Sequence, residues 1–514
     1  MKNPAKELYN QLRRLPWKQL WETEVPRFDR ADPRERMSNV AVVRAVGVVF
    51  AESGPAEERE QVKQWLTSLL RDPNEKVRRY AMTALPKIGA GEGEETQLLD
   101  LLRTTPSERE KKFLGRTLDK IGGTATLHVL ETAPDLLPQT GQKVKASVAR
   151  AQSPSVIAMD RPLAEFAGVR IHLRGRKGLE SIVRDEAEEA IAKDGKFRIA
   201  EVAPGRVALV PVAPFCLGDL YALRCFGSIG FVLGSANQPD ALASIIAAPL
   251  SLRILKTFTE GAIRYRLNFT SKGHQRGAVR TLAAQVYAAC PEILNDARNA
   301  PWSINLYDTG RGTVVELSPR LVPDPRFYYR QDDVPAASHP PLAACMARLA
   351  GKAGDEIVWD PFCGSGLELL ERALRGGVKA LYGTDLSGEA IAISRSNLAA
   401  ANVGPIHSKF TISDFRDFAA IEGLGPNTVT LILTNPPMGR RVPIADLNGL
   451  ISDLVSVAAT VLVPGGRLVF ANPLPHSFVH PGLRLISRQE IDFGAFFTRL
   501  EMYQKTGAPR LSNL

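Results

Sequence analysis

The chain has 514 residues, of which 44% are hydrophobic and 23% charged, with a formal net charge of +10. That length calls for about three domains, the composition excludes a disordered or collagen-like chain, and the positive balance favours a polyanionic partner. Five cysteines (Cys216, Cys225, Cys290, Cys345 and Cys363) show no CxxC pair and no metal-ligand spacing, which argues against a disulfide framework or a metal centre and for a reducing compartment.

The start, Met1-Lys2-Asn3-Pro4, lacks the apolar core of a signal peptide, and no run of 18 apolar residues occurs. A cytoplasmic protein without a membrane span is therefore expected. Residues 1–36, with Trp17, Trp21, Pro26 and Pro33, read as an N-terminal extension. A repeat follows within 37–155. Leu69-Leu70-Arg71-Asp72-Pro73 opens a unit ending at Lys87-Ile88-Gly89, and Leu101-Leu102-Arg103 opens a second ending at Lys120-Ile121-Gly122, an offset of 32 to 33 residues. Val77, Tyr80, Ala81, Ala84 and Leu85 fall at helical spacing. Asp72-Pro73 is expected to start that helix as N-cap and first-turn proline, and Gly89 to end it. The unit resembles a short HEAT repeat, which implies stacked helix pairs serving as a docking surface for RNA or protein, or as a spacer.

Residues 160–322 change character. Val169 to Leu173 alternates like a strand, and Gly178-Leu179-Glu180 opens an amphipathic helix carrying Ile182, Val183, Ala187, Ala190 and Ile191. Strands are expected at Lys196 to Ile199, Val207 to Val210 and Phe226 to Leu233, with a helix from Leu220 to Cys225. Ile263 to Phe269 alternates basic and apolar residues, a helix follows from Val279 to Cys290, and Ser303 to Asp308 with Thr313 to Leu317 make a strand pair. Between Arg253 and Arg280 stand seven Lys/Arg and one Glu. Arg264, Arg266, Lys272 and Arg276 are the candidate phosphate contacts there.

From 325 to 514 the pattern is α/β. Glu356 to Trp359 is a strand, Asp360-Pro361-Phe362-Cys363-Gly364-Ser365-Gly366 a tight loop, and Leu367 to Leu374 a helix. Strand, glycine loop and helix is where a doubly wound sheet binds a nucleotide-like ligand. There is no Gly-Lys-Ser/Thr ending and an aspartate opens the loop, so a sulfonium cofactor with an amino-acid tail suits it better than a triphosphate. Leu381 to Asp385 is the second strand. An acidic residue there, about 20 residues beyond the loop, takes ribose hydroxyls in such folds. Phe410 to Asp414 is the third strand. Val429 to Leu433 leads into Thr434-Asn435-Pro436-Pro437-Met438-Gly439, and Val461 to Phe470 is the next strand. Strands at Leu483 to Ser487 and Phe496 to Gln504 would complete seven.

The glycine loop, the acidic strand end and Asn-Pro-Pro, in this order, resemble S-adenosylmethionine-dependent methyltransferases. More narrowly they resemble the THUMP-containing RNA guanine-N2 methyltransferases of the transfer-RNA type. The resemblance spans roughly 165–505 and is strongest from 327 to 470. It implies a multidomain chain: HEAT-like helical repeats, then an α+β ferredoxin-like and THUMP RNA-binding region, then a Rossmann-like class I methyltransferase domain. It implies S-adenosyl-L-methionine held by Ser338, Asp360, Pro361, Gly364, Ser365, Gly366, Asp385, Leu386, Asp414 and Phe415, with Glu371 as the helix glutamate of the family. Asn435 and Pro436 would be catalytic, their side-chain oxygen and backbone carbonyl receiving the target amine. Pro437, Met438, Arg440 and Arg441 would meet the substrate, Met438 standing where the family has an aromatic residue. Transfer RNA is the expected substrate, with ribosomal RNA, adenine N6 in nucleic acid, or a non-catalytic RNA-binding role as alternatives.

Overall fold

The computed structural model describes residues 4–132, 144, 148, 154–270, 276–297, 299–335, 337–439, 444–494 and 496–507. The chain divides into two compact units, 1–154 and 155–514.

The first unit is helical. Helices Ala41–Ser53, Glu75–Ala84 and Glu108–Ile121 pack successively side by side. Arg59–Ser68 packs on Glu75–Ala84, Glu92–Thr104 on Glu108–Ile121, and Thr124–Thr132 on Glu92–Thr104. Residues 4–36 belong to this helical core and do not stand apart as an extension. Leu12, Trp17, Leu20, Val25 and Phe28 are buried in the same core as Val46, Phe50 and Leu66. Trp17 stacks on Trp21 at 5.2 Å and meets Phe50 edge-on at 4.9 Å, so these aromatic rings cover the first face of the stack. The 75–84 helix also starts later than its sequence suggests. Asn74 is its N-cap, accepting from the Lys76 amide at 3.0 Å. Asp72 instead accepts from the Asn74 amide at 2.8 Å and pairs with Arg36 at 2.9 Å. Successive helices are tied by Arg78, which donates to both oxygens of buried Glu110 at 2.6 and 2.9 Å.

The second unit holds two large sheets. Its strands are β1 (Ser155–Ile157), β2 (Ile171–Arg174), β3 (Phe197–Ala203), β4 (Arg206–Pro211), β5 (Ser228–Ala236), β6 (Thr259–Gly261), β7 (Ile263–Phe269), β8 (Ile293–Asn295), β9 (Trp302–Asp308) and β10 (Thr313–Pro319). They are followed by β11 (Glu356–Asp360), β12 (Val378–Asp385), β13 (His407–Ile412), β14 (Val429–Thr434), β15 (Leu462–Asn472), β16 (Leu483–Asp492) and β17 (Phe497–Lys505). One eight-stranded sheet runs β3-β4-β2-β5-β10-β9-β7-β8, and β1 pairs with β6 apart from it. Where a helix was expected at Leu220 to Cys225, the helix is Leu217–Tyr221. The Asp219 carboxylate accepts from the Cys216 amide at 2.8 Å and so starts the turn early.

The other sheet has seven strands in the order β13-β12-β11-β14-β15-β17-β16. The first five are parallel, and β17 runs antiparallel to both neighbours. Strand order turns outward on either side of β11 and β14, so their carboxyl ends flank a switch point, the place where such sheets take ligands. The two sheets are not independently cored. One apolar cluster runs from Leu173 and Phe231 to Cys345, Leu431 and Leu500. Arg224 crosses between the regions, donating to both oxygens of Glu371 at 2.8 and 2.7 Å.

Candidate active site

The first wall of the site is the loop between β11 and the Leu367–Leu374 helix. Gly364 and Gly366 have φ of +50° and +81°, a region L side chains rarely adopt. A Cβ on Gly366 would also press on Ser394 Oγ at 3.2 Å. The following helix Gly388–Ala401 fixes the loop from behind. Ser394 donates to the Gly364 carbonyl at 2.7 Å, and Asn397 donates to the Ser365 carbonyl at 2.9 Å. Asn397 also accepts from the Gln331 amide at 2.9 Å, and Ser365 donates to Asp333 at 3.0 Å, which draws the 330–333 segment over the loop.

The acidic groups divide the work. Asp360 is fully buried. Its Oδ1 receives the Thr434 hydroxyl at 2.5 Å and the Phe362 amide at 3.0 Å, while its Oδ2 is buried with no hydrogen-bond partner among the described residues. Burial pushes its pKa well up, with the nearby Glu368 charge adding to the effect. Asp385, at the end of β12, accepts from the Gly364 amide at 3.0 Å through Oδ2 and from the Ser387 amide at 2.9 Å through Oδ1. Each of those oxygens keeps a second lone pair, which is the acceptor set a vicinal diol requires.

The second wall is Asn435-Pro436-Pro437-Met438, beyond the end of β14. Asn435 donates through Nδ2 to the Ser338 hydroxyl at 2.7 Å, and Ser338 donates to the Glu368 carboxylate. Asn435 Oδ1 is buried without a partner among the described residues. Pro436 is buried, and Pro437 and Met438 are half-buried. The structure thus brings Ser338, Asp360, Gly364, Ser365, Gly366, Asp385 and Asn435 to one sheet edge through direct hydrogen bonds or adjacent backbone. Pro361 adds its carbonyl as acceptor for Thr384 at 3.1 Å.

Other expected residues stand differently. β13 ends at Ile412, and Asp414 lies beyond it as cap of the Phe415–Ala420 turn. Both its oxygens meet Arg416, one at the amide and one at the guanidinium, each at 2.9 Å. The Phe415 ring is buried against Phe362 at 4.9 Å. Leu386 is 74% exposed beside Asp385. Glu371 does not face the loop. It receives the Tyr329 hydroxyl at 2.5 Å in addition to Arg224. The glutamate that reaches the site is Glu368, one turn earlier, which sequence reasoning missed together with Thr434 and Asn397. The available signal was a carboxylate in the first turn of the helix, two residues after Gly366. In the other sheet, Arg264 is only 4% exposed because β7 runs inside the sheet, between β9 and β8, so it is not placed to meet a phosphate. Arg266 on the same strand is half-buried. Lys272, Arg440 and Arg441, and the side chain of Arg276, lie outside the described residues.

This parallel sheet, its single reversed strand and the glycine loop at its switch point define a class I methyltransferase-like α/β domain. Residues 328–480 match the UPF0020 family model, described as RMKL-like, methyltransferase domain; the match covers less than a third of the chain. The chain is 34% identical over 150 residues to the tRNA (guanine(10)-N2)-dimethyltransferase of Methanothermobacter thermautotrophicus, covering 29% of this chain and 40% of that relative. It is 28% identical over 170 residues to a Methanothermococcus thermolithotrophicus protein named "Probable tRNA (guanine(10)-N2)-dimethyltransferase", covering 32% of this chain and 98% of that one. The crystal structure of TrmN from Thermus thermophilus shares the fold at TM-score 0.50 and 20% identity, over 66% of this chain and 99% of that chain. The chain thus spans two fifths of the first relative's length. Among the described residues, no helix is long and apolar enough to cross a membrane.

Proposed function

We propose that the protein is an S-adenosylmethionine-dependent RNA methyltransferase that methylates the exocyclic N2 of a guanosine in transfer RNA. The observation that carries this reading is the Asn435 Oδ1 atom, buried at the carboxyl end of β14 and unpartnered among the described residues. A buried acceptor left without a donor is costly, and the natural donor at this sheet edge is a substrate N–H. The amine of guanine is a weak nucleophile because its lone pair is delocalised into the ring. Asn435 Oδ1 and the Pro436 carbonyl, held by two consecutive prolines, would accept its two hydrogens, draw the lone pair out of conjugation and stabilise the positive charge that develops on nitrogen. Its surplus proton then leaves to solvent.

The residues present fit the cofactor. Asp360 Oδ2, the second orphaned acceptor, would take its ammonium. Gly364, Ser365 and Gly366 would line its backbone side, Asp385 its ribose, and Leu386, Asp414 and Phe415 its adenine. The acidic cluster of Asp360, Glu368 and Asp385 suits a cation. When bound, S-adenosylmethionine supplies a methyl group on a positively charged sulfur and leaves as the neutral thioether. What the chain contributes is orientation of the amine toward that methyl.

Residues 160–322 would act as the THUMP-type RNA-binding region, with Arg266, Lys272 and Arg276 on phosphates and Met438, Arg440 and Arg441 around an exposed base. The helical unit would be a HEAT-like docking module for RNA or protein, in a cytoplasmic enzyme. The similarity in sequence to relatives named as guanine-N2 dimethyltransferases supports the choice of base. The test is incubation of the protein with unmodified transfer RNA and labelled cofactor, followed by nucleoside mass spectrometry. Label in N2-methylguanosine is expected. Label in N6-methyladenosine would reassign the base, and no label in any RNA would overturn the reading.

A further inference from the structure

We propose that Glu368 is a positioning residue which, through the Ser338 hydroxyl, dictates which end of the Asn435 amide faces the substrate, and that it does so only as a carboxylate. The inference rests on the reading of Asn435 as acceptor for the target amine.

The argument is one of hydrogen counting. A serine hydroxyl has one hydrogen to donate, and an ionised carboxylate has none. With Glu368 ionised, the Ser338 hydrogen is committed to Glu368. Toward Asn435, Ser338 then offers only a lone pair. Asn435 must turn its NH2 group to Ser338, as observed at 2.7 Å, and its Oδ1 outward. The reversed amide would set two acceptors face to face, at a cost comparable to a lost buried hydrogen bond. Protonation of Glu368 removes the constraint. The carboxyl then donates to Ser338, the Ser338 hydrogen is free for Asn435 Oδ1, and the amide can reverse. A reversed amide presents a donor to the substrate amine, itself a donor, and no longer accepts from it.

The setting makes that protonation accessible. Glu368 is 3% exposed, and among the described residues no Lys, Arg or His is bonded to it. The groups around it are Ser338 from the 330–339 segment, Asp360 on β11, the Cys363 thiol in the loop and Glu371 one turn along its own helix, while Asp385 at the end of β12 acts on Asp360 and Cys363. Arg224 pairs with Glu371, not with Glu368. Burial, reinforced by the Glu371 charge and opposed by the Ser338 hydrogen bond, pushes the Glu368 carboxyl up to about 7. As a carboxylate Glu368 holds the active orientation, and on protonation it releases it.

The deciding experiment needs neither cofactor nor RNA. In full-length protein carrying 15N-asparagine, the Asn435 side-chain NH2 resonance is assigned with Asn435→Asp and followed from pH 5.5 to 8.5 while the Glu368 carboxyl is titrated by 13C. Both should shift with one midpoint. Ser338→Ala should raise the Glu368 midpoint, because it removes a hydrogen bond to the carboxylate, while abolishing the Asn435 response, and Ser338→Thr should restore both. An Asn435 signal indifferent to Glu368 ionisation would overturn the relay, whether or not the protein methylates RNA. Coupled titrations in a protein that methylates no RNA would support the relay and remove the functional reading instead. In the active enzyme, Glu368→Gln should lower kcat about tenfold with RNA KM little changed, and should flatten the acid limb of the kcat profile. Retention of both kcat and the acid limb in Glu368→Gln would also overturn the proposal.

Discussion

At the scale of single residues, the candidate site turns on two buried oxygens with no donor among the described residues, Asp360 Oδ2 and Asn435 Oδ1. The sequence made both residues legible, since an aspartate opening a glycine loop and an Asn-Pro-Pro turn each carry a chemical reason. It did not make their supports legible. Thr434 and Glu368 look like a strand end and a helix start, and only the fold brings them against Asp360 and Ser338. Asn435→Ala removes the outward acceptor while leaving the proline turn and the RNA-facing surfaces intact. Its kcat should fall by about 10²–10³, the usual cost of one preorganised group at a developing charge. Filter binding of transfer RNA should stay within about twofold of wild type, because affinity comes mainly from phosphate contacts elsewhere. A parallel loss of RNA affinity would mean that Asn435 anchors substrate rather than activating it.

At the scale of elements, the parallel core from β11 to β15 was readable because its strands are short apolar runs closed by chemistry-bearing turns. The limits of Asp414 and Glu371 were not, because turn capping and ion pairing decided their places. Asp414 lies past the strand and caps the Phe415–Ala420 turn, and Glu371 is drawn away from the loop by Arg224 and Tyr329. The second case shows why the two sheets share a core. Arg224→Ala would leave Glu371 buried with only the Tyr329 hydroxyl, and breaking one side of a buried pair costs about 3–5 kcal/mol. Thermal unfolding of the variant should therefore begin well below wild type and take both sheets together. Gly366→Ala should act more locally. Its left-handed φ and the 3.2 Å approach of Ser394 force the loop to move. Cofactor affinity measured by calorimetry should drop about tenfold while the melting temperature changes by only a few degrees.

At the scale of the whole molecule, the helical unit has its own core, drawn from Leu12 to Leu130. Its existence was visible in the repeated Leu-Leu-Arg and Ile-Gly segments. The inclusion of residues 4–36 was not, because Trp17, Leu20 and Phe28 find partners only once the helices stack. Independent cores predict independent unfolding, so calorimetry should resolve two transitions, and a chain of residues 155–514 should keep one of them and bind cofactor as the full chain does. Arg78 labels the other transition. Burial raises the Glu110 pKa, but the Arg78 and Thr105 hydrogen bonds outweigh it and hold the carboxyl below its ordinary value. A depressed carboxylate stabilises the fold above its unfolded pKa of about 4.3, and that contribution fades as pH falls through the lower folded value. Arg78→Ala should thus cost about 3–5 kcal/mol at pH 7, lower only the transition that residues 155–514 lack, and lose part of its effect below about pH 4. A shift of both transitions would show that the two units unfold as one.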